Sequence, residues 1–393
     1  MGISSQPSER RRSLLIPAAL LGSGLLLAGC GAPPEESSSS SAAGGSASGS
    51  SAEATAAAIT TNPEVGTDNA DYKACIVSDQ GGFEDRSFNE TSHDGLMAAE
   101  EAYGIETAQA ESKDASEFTP NVNSMVNAGC DSIIGVGYLL GDTMKPIAQA
   151  NPDIHFFGVD VTADGFSDNV QKLTYDTAQA AFLAGYAAAA TSETGTVATY
   201  GGAEIPTVTI FMDGFAAGVE HYNEAKDADV KVLGWDREAK TGSFTGDFEN
   251  QAAGKTNTTN FINEGADVVM PVAGPVGLGT LDAVREANDG GKDVKVVWVD
   301  SDGYESTEDG DLILTSVVKN MGQSVTDVLG QDVQDEFTSE SYVGTLENEG
   351  VELAPFHDFD AEVSQETKDE LKELQEQIIS GEVSVDSEYS PAS

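Results

Sequence analysis

From residue 73 onward, short β-branched or apolar runs alternate with longer stretches in which apolar side chains recur every three to four residues. The runs at 73–79, 133–137, 154–160, 196–200, 230–235, 268–272, 294–300 and 312–317 predict strands. The stretches at 88–103, 178–190, 208–224 and 277–287 predict helices between them. Such alternation implies parallel sheets wound by right-handed crossovers, which receive ligands at the carboxyl ends of their strands. Several runs end on Asp or Gly, at Asp79, Gly137, Asp160, Gly201, Gly274 and Asp300. Asp and Gly supply the polar groups and tight turns of a cleft, and they are equally ordinary in β-to-α turns; spacing alone leaves both readings open.

The amino-terminal pattern is different. Arg10, Arg11 and Arg12 precede an apolar run at 14–28 that stops at Gly29-Cys30, too short to span a bilayer comfortably. Leu27-Ala28-Gly29-Cys30 looks like a bacterial lipobox, so residues 1–30 are expected to be a lipoprotein signal peptide and Cys30 the acylated first residue of the mature chain. The arginines leave Sec and twin-arginine export open. Residues 31–70 turn to Ser, Ala, Gly, Glu and Pro, a composition that predicts a disordered tether. Forty such residues span roughly 35 Å on average.

The remaining chain is too long for one ordinary core and suits two lobes. The full chain carries 19 Lys plus Arg against 67 Asp plus Glu, a formal charge of −48 spread along its length. Binding to nucleic acid is therefore opposed, and a neutral ligand is favoured over a phosphorylated one. Beyond Cys30 only Cys75 and Cys130 remain. An extracellular compartment permits them to pair, and spacing does not decide whether they do.

Motifs for chemistry are few. His93, His155, His221 and His357 lack metal-ligand spacing, so no metal is expected. Gly254-Lys255-Thr256 resembles the end of a phosphate loop, but Glu249 stands where its first glycine belongs and the surroundings are helical. No Gly-x-Ser-x-Gly elbow is present, and carboxylates are too abundant to single out an acid and base pair. Neither enzyme activity nor a cofactor is expected.

The most informative stretch is Val77-Ser78-Asp79-Gln80-Gly81-Gly82-Phe83-Glu84-Asp85-Arg86-Ser87-Phe88-Asn89-Glu90. A strand ends at Asp79, two glycines turn the backbone, and Ser87 with Glu90 forms a capping-box pattern that starts a helix. Phe88 and Asn89 then fall in the first helical turn beside Asp79. A ring, an amide and a carboxylate suit a base joined to a sugar. The same residues also fit a plain structural role, Phe88 as a core staple and Asn89 as a helix-start residue.

This segment closely resembles the mark of the basic membrane protein family of lipoproteins, the PnrA-like nucleoside-binding proteins, with Arg86 where the family has lysine. The resemblance extends through Phe157-Gly158-Val159-Asp160, Asp213-Gly214-Phe215-Ala216-Ala217-Gly218, Gly265 to Gly274 and Val299-Asp300-Ser301-Asp302. It implies an α/β type I periplasmic-binding fold: two doubly wound parallel-sheet lobes joined by crossover strands, with a central cleft. The lobes are then expected at 71–175 with 301–338 and at 176–300 with 339–393. By position, the resemblance gives Asp79, Asp160 and Asn89 the polar edges of base or ribose, and Phe88 the base to stack on. Asp300 or Asp302, with Lys319, holds sugar hydroxyls, and Gly274 brings backbone close to the ligand. Met270 stands where several members place a phenylalanine as the second wall of the base slot. The implied protein is a monomeric receptor, anchored through Cys30 on the outer face of the cell membrane. It captures nucleosides, purines preferred, for an ABC permease and its ATPase. Alternatives are a receptor for another neutral solute such as a sugar, and a sensory or adhesion lipoprotein. A nucleoside hydrolase lacks a compact Asp cluster near the start of the chain.

Overall fold

In the computed structural model, which describes residues 59–391, the alternation resolves into two six-stranded sheets. The first is built from β1 (Lys73–Ser78), α1 (Phe88–Tyr103), β2 (Glu106–Ala110), α2 (Ala115–Asn127), β3 (Ser132–Val136), α3 (Gly141–Ala150), β4 (His155–Val159) and β5 (Val170–Tyr175). The chain crosses into the second lobe through α4 (Thr177–Thr191), β6 (Thr196–Gly201), α5 (Pro206–Lys226) and β7 (Lys231–Leu233). A small hairpin of β8 (Trp235–Asp236) and β9 (Thr241–Gly242) follows. Then come α6 (Gln251–Asn263), β10 (Val268–Val272), α7 (Gly277–Asp289), β11 (Lys295–Asp300), α8 (Gly303–Ser306) and β12 (Ile313–Lys319). α9 (Met321–Val333) returns to pack on α1, and β13 (Tyr342–Gly344) pairs with β5. β14 (Val351–Leu353) then pairs antiparallel with β12, and α10 (Gln365–Ile379) packs on α4.

Strand orders are β13-β5-β4-β3-β1-β2 and β14-β12-β11-β10-β6-β7, parallel apart from the β12–β14 pair. Each order reverses once, between β1 and β3 in the first sheet and between β6 and β10 in the second. At such a switch point the connections leave in opposite directions and open a crevice beyond the strand ends. Asp79 and Gly137 follow β1 and β3, and Gly202 and Ala273 follow β6 and β10. The central strands are buried along nearly their whole length, which is why they read as unbroken apolar runs.

Three expectations are corrected. β12, which falls in the 301–338 stretch expected in the first lobe, pairs with β11 of the second sheet, where its seven residues are all buried. β13, in the 339–393 stretch expected in the second lobe, extends the first sheet instead. The tether expected through residue 70 is attached to the lobe from residue 59: Thr60 N–H and Gln323 exchange hydrogen bonds, Asn62 N–H donates to the Tyr103 hydroxyl, and Asn69 Nδ2 donates to the Tyr103 carbonyl. The segment is held by its backbone N–H groups and the Asn69 amide, contacts that composition does not reveal. The signal peptide and Cys30 lie outside the described residues. Cys75 and Cys130 form a disulfide that ties β1 to the turn before β3.

Candidate functional site

The largest share of cleft chemistry comes from the turn between β1 and α1. Asp85, not the Ser87 side chain, caps the helix: its Oδ1 accepts from Ser87 N–H and Glu90 N–H, each at 3.0 Å, and its Oδ2 from Asn89 N–H at 2.8 Å. Glu90 reaches back to Arg86 N–H at 2.7 Å, and Ser87 Oγ donates across to the Val299 carbonyl and Asp300. The capping box expected from Ser87 and Glu90 is therefore displaced, because Ser87 is drawn to the second lobe. The result sets Phe88 and Asn89 at the helix start, facing the cleft beside Asp79.

Asp79 sits against Gly137, where a Cβ would come within 1.9 Å of its carboxylate. Gly137 also has φ of 117°, so only glycine admits that carboxylate there. Burial, followed by the nearby Asp85 and Asp160 carboxylates, pushes the Asp79 pKa well above the usual carboxylate range, against a hydrogen bond from Asn89. Burial likewise pushes Asp85 up to about 6, against its three backbone hydrogen bonds. Asn89 Nδ2 donates to the Gln80 carbonyl at 3.1 Å, while its Oδ1 is buried with no partner.

Lys319 closes β12 and is 2% exposed. Its Nζ lies 2.6 Å from Asp160 Oδ2 and 3.4 Å from Asp300 Oδ1, the second an ion-pair distance without hydrogen-bond alignment. The rings of Phe88, Phe211 and Tyr175 surround it at 4.8, 5.2 and 5.5 Å from their centroids. Burial alone would lower the Lys319 pKa; the two carboxylates outweigh it, and the ammonium is held protonated. Asp160 ends a first-lobe strand and Asp300 a second-lobe strand, and both hold left-handed backbone, with φ of 57° and 70°. Such backbone costs on the order of 1–3 kcal/mol per residue and persists where the surroundings over-determine it.

The cleft contains about 510 Å³ of space unfilled by protein atoms, the solvent at its mouth included. Of the residues singled out from sequence, Asp79, Phe88, Asn89, Asp160, Gly274, Asp300 and Lys319 line it together. Two do not. Met270 is fully buried inside β10 and packs with Val268 and Val272 in the core, too far from the strand end to reach the cleft. Asp302 caps α8 through Tyr304 N–H at 3.1 Å and pairs with His357 at 2.7 Å, which turns it into a separate groove. The aromatic walls besides Phe88 are Tyr138, Phe211 and Phe248, which sequence reasoning missed. A signal existed for two of them: Thr207, Val208 and Phe211 share one face of the first turns of α5, and the Gly201-Gly202 pair leaves room for Phe244 and Phe248 at the end of β6.

Two parallel-sheet lobes whose switch points meet at a cleft define a class, the type I periplasmic-binding fold of solute receptors. An ABC transporter solute-binding protein from Aeropyrum pernix superposes with a TM-score of 0.72 at 24% identity, over 80% of this chain and 92% of that one. The chain belongs to the family described as ABC transporter substrate-binding protein PnrA-like, whose model matches residues 73–388. It is 29% identical to the ABC transporter nucleoside-binding protein BmpA of Lactococcus lactis over 337 residues, 82% of this chain and 91% of the relative. It is 28% identical to basic membrane protein A of Borreliella burgdorferi over 319 residues, 80% of this chain and 88% of the relative.

Proposed function

We propose that this receptor captures nucleosides, purines in preference, and delivers them to an ABC permease and its ATPase. The observation that carries the reading is the joint presence in one cleft of the Phe88 ring, the unpartnered Asn89 amide oxygen and the Lys319 ammonium between Asp160 and Asp300. Phe88, Phe211 and Phe248, with Ile205 and Val208, offer a broad apolar surface for a two-ring base. The Asn89 oxygen awaits a donor from the base edge, and the charged trio supplies both donors and acceptors for ribose hydroxyls. Even leaving aside Asp79, whose pKa burial pushes up, the carboxylates of Asp85, Asp160 and Asp300 face the cleft against the single Lys319. That balance favours a neutral nucleoside over its phosphate ester.

The family consists of substrate-binding proteins, so the chain is read as a receptor rather than an enzyme, monomeric and held at the outer membrane face through acylated Cys30. Among the described residues no helix is long and apolar enough to cross a membrane, and Cys30→Ser is expected to release the protein from membranes. Mass spectrometry of the small molecule freed by denaturing freshly purified protein tests the ligand. A nucleoside mass is expected; a hexose or inositol mass would move the reading to a sugar receptor.

A further inference from the structure

The chain after α10 walls a small chamber beside the cleft. Residues 384–391 have no regular structure yet are pinned at four points. Arg237 Nη2 donates to the Asp386 carbonyl at 3.0 Å, Ser387 Oγ donates to Asp213 Oδ2 at 2.7 Å, Lys240 pairs with Glu388, and Ser390 Oγ donates to Asp176 Oδ1 at 2.8 Å. Asp213 is a buried carboxylate on α5 whose other oxygen accepts from the Trp235 indole at 2.9 Å. Asp176 begins the first crossing between the lobes. Within four residues the tail thus ties a second-lobe helix to the crossover.

This anchoring sets Tyr389 and Pro391 over a small chamber with room for about one water-sized group. Its other walls include Asp160, Thr207 and Lys319, which also line the main cleft, and Thr177. Thr177, the first residue of α4, is 1% exposed and its Oγ1 has no hydrogen-bond partner. A buried hydroxyl left unpaired is unfavourable, and an oxygen entering the chamber would relieve it. Lys319 is already neutralised by Asp160 and Asp300, and no other cation among the described residues lines the chamber. The entering group is therefore neutral.

We propose that the chamber is a second compartment of the ligand site that receives one hydroxyl of the ligand, with Thr177 as the specificity-determining residue and the carboxyl-terminal tail as its outer wall. The proposal rests on the nucleoside reading above. Calorimetric titration of the parent, Thr177→Val, Ser390→Ala and a form ending at Glu388 tests it, using adenosine and its 2′-, 3′- and 5′-deoxy analogues. In the parent, one deoxy analogue is expected to bind about tenfold more weakly than adenosine through loss of this contact. Thr177→Val narrows that gap and leaves the other two unchanged, and both tail variants narrow the same gap. Adenosine binding with all three gaps unaltered in Thr177→Val overturns the chamber alone. A parent that binds no nucleoside overturns the nucleoside reading and the chamber with it, so the two failures are distinguishable.

Discussion

Phe88 offers its ring to the cleft from the first turn of α1, and a base stacked on such a ring contributes about 1–3 kcal/mol. Phe88→Ala is therefore expected to weaken nucleoside binding about five- to hundredfold in titrations of folded protein. Met270→Phe behaves oppositely: it overpacks the core beside β10, lowers stability by about 1–3 kcal/mol in urea denaturation, and leaves affinity unchanged. Asp85 gives a pH signature. Its folded pKa is about 6 and its unfolded value about 4, so the folded state holds the extra proton between them. Stability from this group is present at the acid end of that window and lost as pH rises through about 6. Between pH 4 and 7 the parent should lose about 3 kcal/mol at most relative to Asp85→Asn; equal slopes would contradict the assignment. Strand-end polar residues such as Asp79, Asp160 and Asp300 were legible because period and turn chemistry place them at one edge. Met270 misled because a resemblance aligns positions without their depth in a strand. Asp302 misled because its competing partner, His357, is 55 residues away in sequence.

The crossing of α4 and α5 explains why Asp213-Gly214-Phe215-Ala216-Ala217-Gly218 carries two glycines. A Cβ on Gly214 would lie 2.3 Å from the Ala178 carbonyl and one on Gly218 1.9 Å from the Phe182 carbonyl, while on α4 a Cβ on Gly185 would lie 2.0 Å from the Phe215 carbonyl. The helices touch backbone to backbone, and α5 thereby carries Thr207, Val208 and Phe211 to the cleft. Gly218→Ala must separate them; a loss of about 1–3 kcal/mol is expected by denaturation, with weakened binding as Phe211 shifts. Elements with strong period or unbroken burial, such as α1, α5, β10 and β11, were legible. β2, with the sequence Glu-Thr-Ala-Gln-Ala, and β5, interrupted by Gln171 and Lys172, were not. Their strand state comes from pairing with β1 and β4 rather than from apolar composition. The three-residue β13 and β14 are too short to show a period at all.

At the scale of the whole molecule, two facing switch points put the cleft between lobes that the chain crosses after β5, after β12 and between β13 and β14. The lobe count follows from length, whereas the crossing points depend on which sheet a buried run such as β12 joins, and its sequence suits either. The formal charge of −48 makes self-repulsion a global term, which salt screens. Melting scans are expected to show Tm rising by several degrees between low salt and about 1 M KCl, where the Debye length falls to roughly 3 Å. On the nucleoside reading one cleft recognises base and sugar together. Calorimetric titration of the parent with adenosine and, separately, with free ribose tests it most directly. Adenosine is expected to bind saturably at one site, and ribose more weakly by at least about fivefold, the smallest contribution of one stacked base. Ribose binding as tightly as adenosine, or no binding of adenosine, would contradict it.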